Sequence, residues 1–328
     1  MERMSQVFVS RKIFPEALYL LKSNGVNYTV NEHDRKLSKQ ELIEGLRGAQ
    51  GLICLLSDII DEEVISASPE LKVISNVAVG FNNVDIAAAT RHGIMVTNTP
   101  DVLTETTADL AFALMLGVAR RVAEGDRKVR AGQMTELDLM RQDMGSDIHD
   151  KTLGIVGMGR IGLAVARRAH LGFKMEILYH NRKPYREAEE EVKARLVTFD
   201  ELLRSSDFIS IHAPLTADTR HMFGKAQFEK MKKTAYIINT SRGPLIDEAA
   251  LAGALSTGTL KGAGLDVYED EPRVNPRLLK IEQNVLFTPH VGSATLATRT
   301  KMAVMAAENM LAGLRGRTPP NLVNEPIH

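Results

Sequence analysis

Three reactive side chains follow predicted β-strands in the second half of the sequence. Arg242 comes just after "AYIINT", Glu271 a few residues past "GAGLDV", and His290 after "NVLF". Because ligands of an open α/β sheet bind beyond the carboxyl ends of its strands, these side chains are expected to converge. Histidine exchanges protons near neutral pH, a carboxylate favours its charged form, and a guanidinium binds anions. Taken alone, His290 after Pro289 fits a structural histidine equally well.

A glycine pattern earlier in the chain predicts a nucleotide site. Gly157, Gly159 and Gly162 stand in G-x-G-x-x-G spacing, after the apolar "LGIV" and at the start of a predicted helix. The first glycine permits a tight turn, the second lets the backbone approach a pyrophosphate, and the third lets helix and strand pack closely. The helix start, with Arg160 and Ile161, offers N–H groups to the phosphates. The alternative is a glycine turn without a ligand.

The stretch "LYHNRKPY" (178–185) bears on which dinucleotide binds. A site for NAD usually has a carboxylate at the end of this strand, where it binds the ribose 2′-OH. This sequence has His180, Asn181, Arg182 and Lys183 instead. A cationic, hydrogen-bonding cluster suits a 2′-phosphate, so we predict that NADP(H) is preferred and that NAD(H) can still bind. The alternative is a solvated basic turn.

The elements that must position these residues form two βα series. β-like runs at 6–10, 51–56, 71–76 and 94–98 alternate with helical stretches, and seven more runs follow Lys151. Such alternation predicts parallel sheets in two doubly wound domains. The segment 294–316 is predicted to be a final helix, followed by an irregular, proline-containing tail.

Composition sets broad limits on the class of protein. The 328 residues suffice for two domains, with 44% hydrophobic and 25% charged residues. Lys+Arg and Asp+Glu both count 41, so nothing favours nucleic acid or an anionic membrane as partner. Cys54, the only cysteine, fits a buried inert thiol, and no apolar leader or spanning segment is evident. We expect a cytoplasmic protein.

Four motifs in this order carry a family resemblance: "VGMGRIG", "NTSRGPLIDEAAL", "GAGLDVYEDEP" and "TPHVGSAT". Over essentially its whole length the chain resembles the D-2-hydroxyacid dehydrogenase family, and within it the bacterial glyoxylate/hydroxypyruvate reductases, a branch that includes 2-ketogluconate reductases. The resemblance implies two Rossmann-like domains. An NAD(P)-binding domain, 101–290, would be inserted into a discontinuous substrate-binding domain, 1–100 and 291–328, with hinges near 99–102 and 291–295.

The resemblance also implies roles for the three reactive residues. His290 would give a proton to the oxygen of a 2-keto acid, and Glu271 would hydrogen-bond the other imidazole nitrogen. Arg242 would bind the substrate carboxylate and polarise the carbonyl.

Further contacts follow from the same resemblance. "SNVAVGFNNVD" resembles the family's substrate loop, so the amides of Val79 and Gly80, with Ala78 nearby, would hold the substrate carboxylate. The side chains expected to line the cofactor are Thr107, Pro214, Thr240 and Asp266, the last beside the nicotinamide carboxamide. No metal is expected.

Residues 104–131 are predicted to form one long helix or a broken pair. The first half is apolar nearly all round, which indicates burial at a domain or subunit interface, or in a plain core helix. The interface alternative, together with the resemblance, predicts a homodimer.

The expected activity is reduction of glyoxylate or hydroxypyruvate, small 2-keto acids, to 2-hydroxy acids with NADPH. A 2-ketogluconate reductase shares every motif and stays open as an alternative. An alternative of another class is a non-catalytic nucleotide-sensing protein on the same fold, but no added peptide-binding region is evident.

Overall fold

The computed structural model describes residues 6–33, 35–134 and 144–325. The chain divides into two compact units, Met1–Leu103 with Ser293–His328, and Thr104–Gly292. The sequence analysis placed its boundaries at 100 and 291, and the binding roles that it gave the two domains remain predictions. Each unit has its own parallel sheet, so the predicted fold class of two doubly wound α/β domains is confirmed.

The first unit is a five-stranded parallel sheet with helices on both faces. Its strand order is β2-β1-β3-β4-β5. The strands are β1 (Gln6–Val9), β2 (Asn27–Val30), β3 (Gly51–Cys54), β4 (Val73–Asn76) and β5 (Met95–Thr97). The helices are α1 (Pro15–Ser23), α2 (Lys39–Gly45), α3 (Glu62–Ser66), α4 (Ile86–Arg91) and the last helix of the chain, α13 (Leu296–Leu314).

Two apolar clusters make the core of this unit. One lies between the sheet and α2 to α4, and the other between the sheet and α1 with α13. Every residue of β3 and β4 is buried because both faces of the sheet are covered. The loops at the carboxyl ends of these strands therefore start from rigid positions.

The second unit is a seven-stranded parallel sheet in the order β12-β11-β10-β9-β6-β7-β8. The strands are β6 (Thr152–Val156), β7 (Glu176–His180), β8 (Arg195–Leu196), β9 (Phe208–Ile211), β10 (Tyr236–Asn239), β11 (Gly262–Leu265) and β12 (Val285–Phe287). The helices are α5 (Thr104–Ala119), α6 (Val122–Arg130), α7 (Arg160–Arg167), α8 (Arg186–Glu191), α9 (Phe199–Ser205), α10 (Lys225–Lys230), α11 (Glu248–Ser256) and α12 (Pro276–Leu279). A π-helical turn, Arg168–Gly172, extends α7, and a 3₁₀ turn spans Gly243–Leu245.

The strand order of the second unit reverses between β6 and β9. In open α/β sheets the ligand crevice lies at such a reversal, outside the carboxyl ends of the strands. Separate apolar clusters cover the two faces of the sheet, one under α5 and α7 and the other under α9 to α12. The glycine loop follows β6 directly and therefore lies at the reversal.

Two elements differ from the simplest sequence expectation. The strand β2 was not among the predicted runs; it is a four-residue edge strand with no fully buried side chain, so its apolar signal is weak. Residues 104–131 form the broken pair, interrupted at Arg121, which has a left-handed φ of 53°. The helix α5 packs against β10, β11 and α7 of its own unit. Its apolar surface is therefore that of a core helix and gives no argument for a dimer.

The model also bears on two expectations from composition. Cys54 is fully buried, and burial raises the pKa of its thiol well above the usual value, as expected for an unreactive cysteine. Within residues 6–33, 35–134 and 144–325, no helix is both long enough and apolar enough to cross a membrane.

Candidate active site

The structure brings His290 and Glu271 into direct contact. The Nδ1 atom of His290 lies 2.7 Å from Oε2 of Glu271, and both side chains are about one-third exposed. Because a carboxylate only accepts, Nδ1 carries the hydrogen of this bond. Nε2 has no hydrogen-bond partner in the described part of the chain. The imidazole is therefore held at one nitrogen and can act as a proton donor at the other.

The loop that carries His290 is held by a buried carboxylate. Asp266 is fully buried; its Oδ1 accepts from the Thr288 hydroxyl at 2.6 Å and the Val291 amide at 2.8 Å, and its Oδ2 from the Gly292 amide at 2.8 Å. His290 lies between these donors with a left-handed φ of 53°, a strained conformation for a non-glycine residue. Asp266 thus helps to hold the strained loop in place.

Charges around Glu271 keep it ionised. Burial pushes the pKa of this carboxyl upwards, but the hydrogen bond and charge of His290, the Tyr268 N–H at 3.0 Å and the charge of Arg242 bring it below its usual value. A carboxylate that stays charged favours the imidazolium form of its histidine partner. The pair is therefore arranged for a proton that leaves from Nε2.

Arg242 follows β10 on a loop held by hydrogen bonds. The Asn239 side chain donates to the Arg242 carbonyl at 2.9 Å, and the Ser241 hydroxyl donates to the Ala213 carbonyl at 2.6 Å. One guanidinium nitrogen, Nη1, donates to the Ser241 carbonyl at 2.6 Å. Burial lowers the pKa of Arg242, although the charge of Glu271 opposes this shift. The other guanidinium N–H groups have no partner among the described residues, so they can bind an anion.

The glycine loop has the backbone that the motif requires. Gly157 has a φ of +93°, and a Cβ there would lie 2.5 Å from the Ala213 nitrogen. A Cβ on Gly162 would lie 2.8 Å from the Gly157 carbonyl oxygen. A Cβ on Gly159, in contrast, would meet nothing within 4 Å. Gly157 and Gly162 are required by close packing, while Gly159 borders the open space that a phosphate needs.

Hydrogen-bond donors of the backbone and of two side chains surround that space. Arg160 begins α7 with an exposed side chain, and the amides of Ile161 and Gly162 in the first turn have no acceptor among the described residues. The hydroxyl of Thr240, after β10, is buried and makes no hydrogen bond. Unpaired donors at a helix N-terminus fit a pyrophosphate. These residues therefore fit a bound dinucleotide.

The four residues at the end of β7 divide into two pairs. His180 contacts the Val197 carbonyl through Nδ1 at 3.1 Å. The side-chain oxygen of Asn181 accepts from the Met158 amide at 2.7 Å, and its nitrogen donates to the Met158 carbonyl at 2.8 Å. Asn181 therefore fixes the glycine loop to β7, a role that the sequence analysis did not assign.

Arg182 and Lys183 form the second pair. Both are exposed, and neither makes an ion pair within the described residues. Neighbouring cations behave differently: Arg167 pairs with Glu191, and Arg195 with Glu201. The two unpaired cations remain available for an anionic ligand.

The other residues expected around the cofactor occupy different settings. Thr107 is buried in α5 and donates to the Gly292 carbonyl at 3.3 Å, which ties α5 to the His290 loop. Pro214 is exposed on the loop after β9. Asp266 uses both oxygens for the His290 loop and is fully buried, so the model shows it as a support for that loop.

The substrate loop of the first unit has its own hydrogen-bond pattern. The Val79 carbonyl accepts from the Asn98 side chain at 2.7 Å, and the Gly80 carbonyl from the Asn76 side chain at 2.9 Å. The Val79 and Gly80 amides have no acceptor among the described residues, while the buried Ala78 lies beside them. Two adjacent free amides fit an anion. Sequence reasoning did not find the two asparagines, because their partners are backbone carbonyls.

The chain is similar to known proteins in both sequence and structure. The family model described as "D-isomer specific 2-hydroxyacid dehydrogenase, NAD binding domain" matches residues 112–292. A glyoxylate reductase from Korarchaeum cryptofilum is 47% identical over 98% of this chain and 96% of its own. The crystal structure of a glyoxylate reductase from Paecilomyes thermophila has a TM-score of 0.88 at 34% identity and covers 98% and 99% of the two chains.

A second solved structure is similar over the same length. The NADPH-dependent glyoxylate/hydroxypyruvate reductase from Sinorhizobium meliloti, in complex with NADP and malonate, has a TM-score of 0.87 at 31% identity and covers 98% of this chain and 97% of its own. These are similarities over whole chains, so they extend beyond the nucleotide-binding unit.

Proposed function

The chain belongs to the D-isomer specific 2-hydroxyacid dehydrogenase family, and on that premise we propose that it reduces glyoxylate and hydroxypyruvate to glycolate and D-glycerate with NADPH. The observation that carries the proposal is the His290–Glu271 hydrogen bond, which leaves Nε2 of the imidazole without a partner. A histidine so held is a general acid for reduction of a carbonyl. The similar proteins named glyoxylate reductase support this substrate class.

The protein's own residues position the keto acid and supply a proton. Arg242 binds the carboxylate of the keto acid through its unpaired N–H groups and draws electron density from the adjacent carbonyl. His290 donates its Nε2 proton to the carbonyl oxygen as negative charge develops there. Glu271 stabilises the imidazolium before the transfer and orients the neutral ring after it.

The nicotinamide cofactor, when bound, supplies the hydride that the protein cannot. The glycine loop and the free amides of Ile161 and Gly162 would hold its pyrophosphate. Thr240, with its unpaired hydroxyl, is the third polar contact that we assign to the same ligand.

We further propose that NADPH is preferred to NADH. Two unpaired cations, Arg182 and Lys183, follow β7 where a carboxylate would select the 2′-OH of NAD. The similar reductase from Sinorhizobium meliloti is described as NADPH-dependent and was solved with NADP. His180 and Asn181 contribute indirectly, since both are already bonded to backbone groups.

In the first unit, we propose that the free amides of Val79 and Gly80 bind a carboxylate. This would make residues before Leu103 and after Ser293 the substrate domain, and Thr104–Gly292 the cofactor domain. The cytoplasmic location and the homodimer remain predictions.

The experiment is a comparison of initial rates of cofactor oxidation. Glyoxylate, hydroxypyruvate and 2-ketogluconate are each assayed with NADPH and with NADH, and the products are identified. We expect the highest kcat/KM with NADPH and one of the two smaller keto acids. A clear preference for 2-ketogluconate would establish the alternative reductase, and no oxidation with any keto acid would contradict the proposed function.

A further inference from the structure

A buried carboxylate with no part in the proposed chemistry lies beside the segment that carries Glu271. Glu248 is the first residue of α11 and is only 4% exposed. Its Oε1 accepts from the Glu269 amide at 2.7 Å, and its Oε2 from the Asn275 amide at 3.2 Å. The two donors lie on opposite sides of Glu271 in the sequence. One carboxylate therefore holds both ends of the segment 269–275.

A carboxylate matches this position better than any neutral side chain. Two backbone N–H groups approach it, and a carboxylate presents an acceptor oxygen to each, whereas the amide of a glutamine presents only one oxygen. Burial raises the pKa of Glu248, and the charges of Glu269 and Glu271 add to that shift, while the two N–H donors oppose it. Keeping like charges close together costs free energy of folding. The geometry of the segment is maintained despite that cost.

The start of this segment also lies against the loop that carries Arg242. A Cβ on Gly243 would lie 1.8 Å from the Tyr268 carbonyl oxygen, so the two loops touch through their backbones. The Glu269 carboxylate lies 3.5 Å from the Glu248 amide and 2.5 Å from Nε2 of His221, with Arg220 at 3.8 Å. The segment 269–275 is therefore fixed at several points around Glu248.

We propose that Glu248 is a positioning residue for catalysis, which sets the place of the Glu271 carboxylate and through it the orientation and charge of His290. Glu248 itself touches neither substrate nor cofactor. The inference rests on the proposed function in one respect, namely that His290 is the proton donor.

The test is a double-mutant cycle between Glu248→Gln and Glu271→Gln. We expect Glu248→Gln to lower kcat about tenfold, with the KM for glyoxylate and the Kd for NADPH changed less than about twofold. The alkaline limb of the kcat–pH profile should move to lower pH, as in Glu271→Gln. In the Glu271→Gln background the further effect of Glu248→Gln should vanish, because the second residue acts through the first.

The control is Asp247→Ala, which removes the N-cap of the same helix; the Asp247 carboxylate accepts from the Ala250 amide at 2.9 Å. This variant should lower the Tm without moving the pH profile. The inference is overturned if Glu248→Gln behaves like the control, or if its effect adds fully to that of Glu271→Gln.

A readout without turnover separates this inference from the proposed function. The ring nitrogen signals of His290 are compared by NMR in the wild type, Glu248→Gln and Glu271→Gln, because they report which nitrogen carries the hydrogen. We expect both variants to lose the fixed Nδ1–H of the wild type, whether or not a keto acid is reduced. A fixed Nδ1–H in Glu248→Gln, with a mixture of tautomers in Glu271→Gln, would contradict the positioning role.

Discussion

At the scale of single residues, the His290–Glu271 pair is held in place by hydrogen bonds to neighbouring residues. Asp266 supports the loop of His290 through three hydrogen bonds, and the Tyr268 amide donates to Glu271 at 3.0 Å. Such support matters because a proton donor must be held within hydrogen-bond reach of its acceptor. The strained φ of His290 persists because these contacts over-determine it.

The charge of Glu271 should set the pH range of reduction. Its pKa is held below the usual value, so it is charged at neutral pH and favours a protonated partner. In Glu271→Gln this attraction is lost, and we expect kcat to fall on the order of 100-fold, with its alkaline limb at lower pH. Reductive kcat is measured from pH 5 to 10. The exposed Glu282→Gln is the control, and an unmoved alkaline limb in Glu271→Gln would argue against the pairing.

The residues proposed as catalytic could be predicted from the sequence, but the hydrogen bonds that support them could not. Arg242, Glu271 and His290 each follow a predicted strand within a specific motif, and the expected hydrogen bond between the last two is present. Glu248 and Asp266 are bonded to residues more than twenty positions away, so no local pattern signals their role.

At the scale of elements, the end of β7 is where we propose that the adenosine ribose binds. Asn181 binds both backbone polar groups of Met158 and so couples the strand to the glycine loop. Arg182 and Lys183 come next on the exposed side. Residues 181–183, directly after β7, therefore combine an asparagine with a structural role and two cations that are available to bind a phosphate.

Arg182→Ala should weaken NADPH and leave NADH nearly unchanged. Loss of a charge-assisted hydrogen bond to a 2′-phosphate, about 1.5–3 kcal/mol, corresponds to roughly 10- to 100-fold in Kd. Fluorescence titration with each cofactor measures the effect. Lys225→Ala, an equal loss of charge on α10, is the control. Equal weakening of NADPH and NADH would mean that Arg182 does not meet the 2′-phosphate.

Element prediction succeeded where the apolar signal was strong. All seven strands of the second unit were expected, and the two-residue β8 lies within the predicted run "ARLVTF", whereas the edge strand β2, with only Tyr28 and Val30 as apolar residues, was missed. The break between α5 and α6 occurs at Arg121 without a proline or glycine, so the sequence left it open. Burial of α5 depends on the sheet that it covers, which composition alone does not reveal.

At the scale of the whole molecule, the chain forms two units, each with hydrophobic clusters of its own. The three side chains proposed as catalytic and the glycine loop all belong to Thr104–Gly292, while the proposed carboxylate-binding loop belongs to the first unit. Acid stability should depend in part on the second unit, through His212 after β9. Its Nε2 lies 2.8 Å from the Ser210 hydroxyl, and burial lowers its pKa from 6.5 to about 4.

The sign of this effect follows from proton linkage. Between pH 6.5 and about 4 the unfolded chain protonates this histidine and the folded chain does not, so stability falls as the pH falls. His212→Gln should reduce the slope of unfolding free energy against pH by up to about 1.4 kcal/mol per pH unit in that window. Urea unfolding at several pH values measures the slope. The exposed His33→Gln is the control, and an identical slope in the wild type and His212→Gln would refute the prediction.

Single-turnover oxidation of bound NADPH by glyoxylate tests whether His290 gives the proton in reduction of a 2-keto acid. The wild type and His290→Gln are each saturated with NADPH and mixed with glyoxylate in a stopped-flow instrument. We expect His290→Gln to bind NADPH within about twofold of the wild type and to oxidise it at least about 100-fold more slowly. Equal rates in the two proteins would contradict the account.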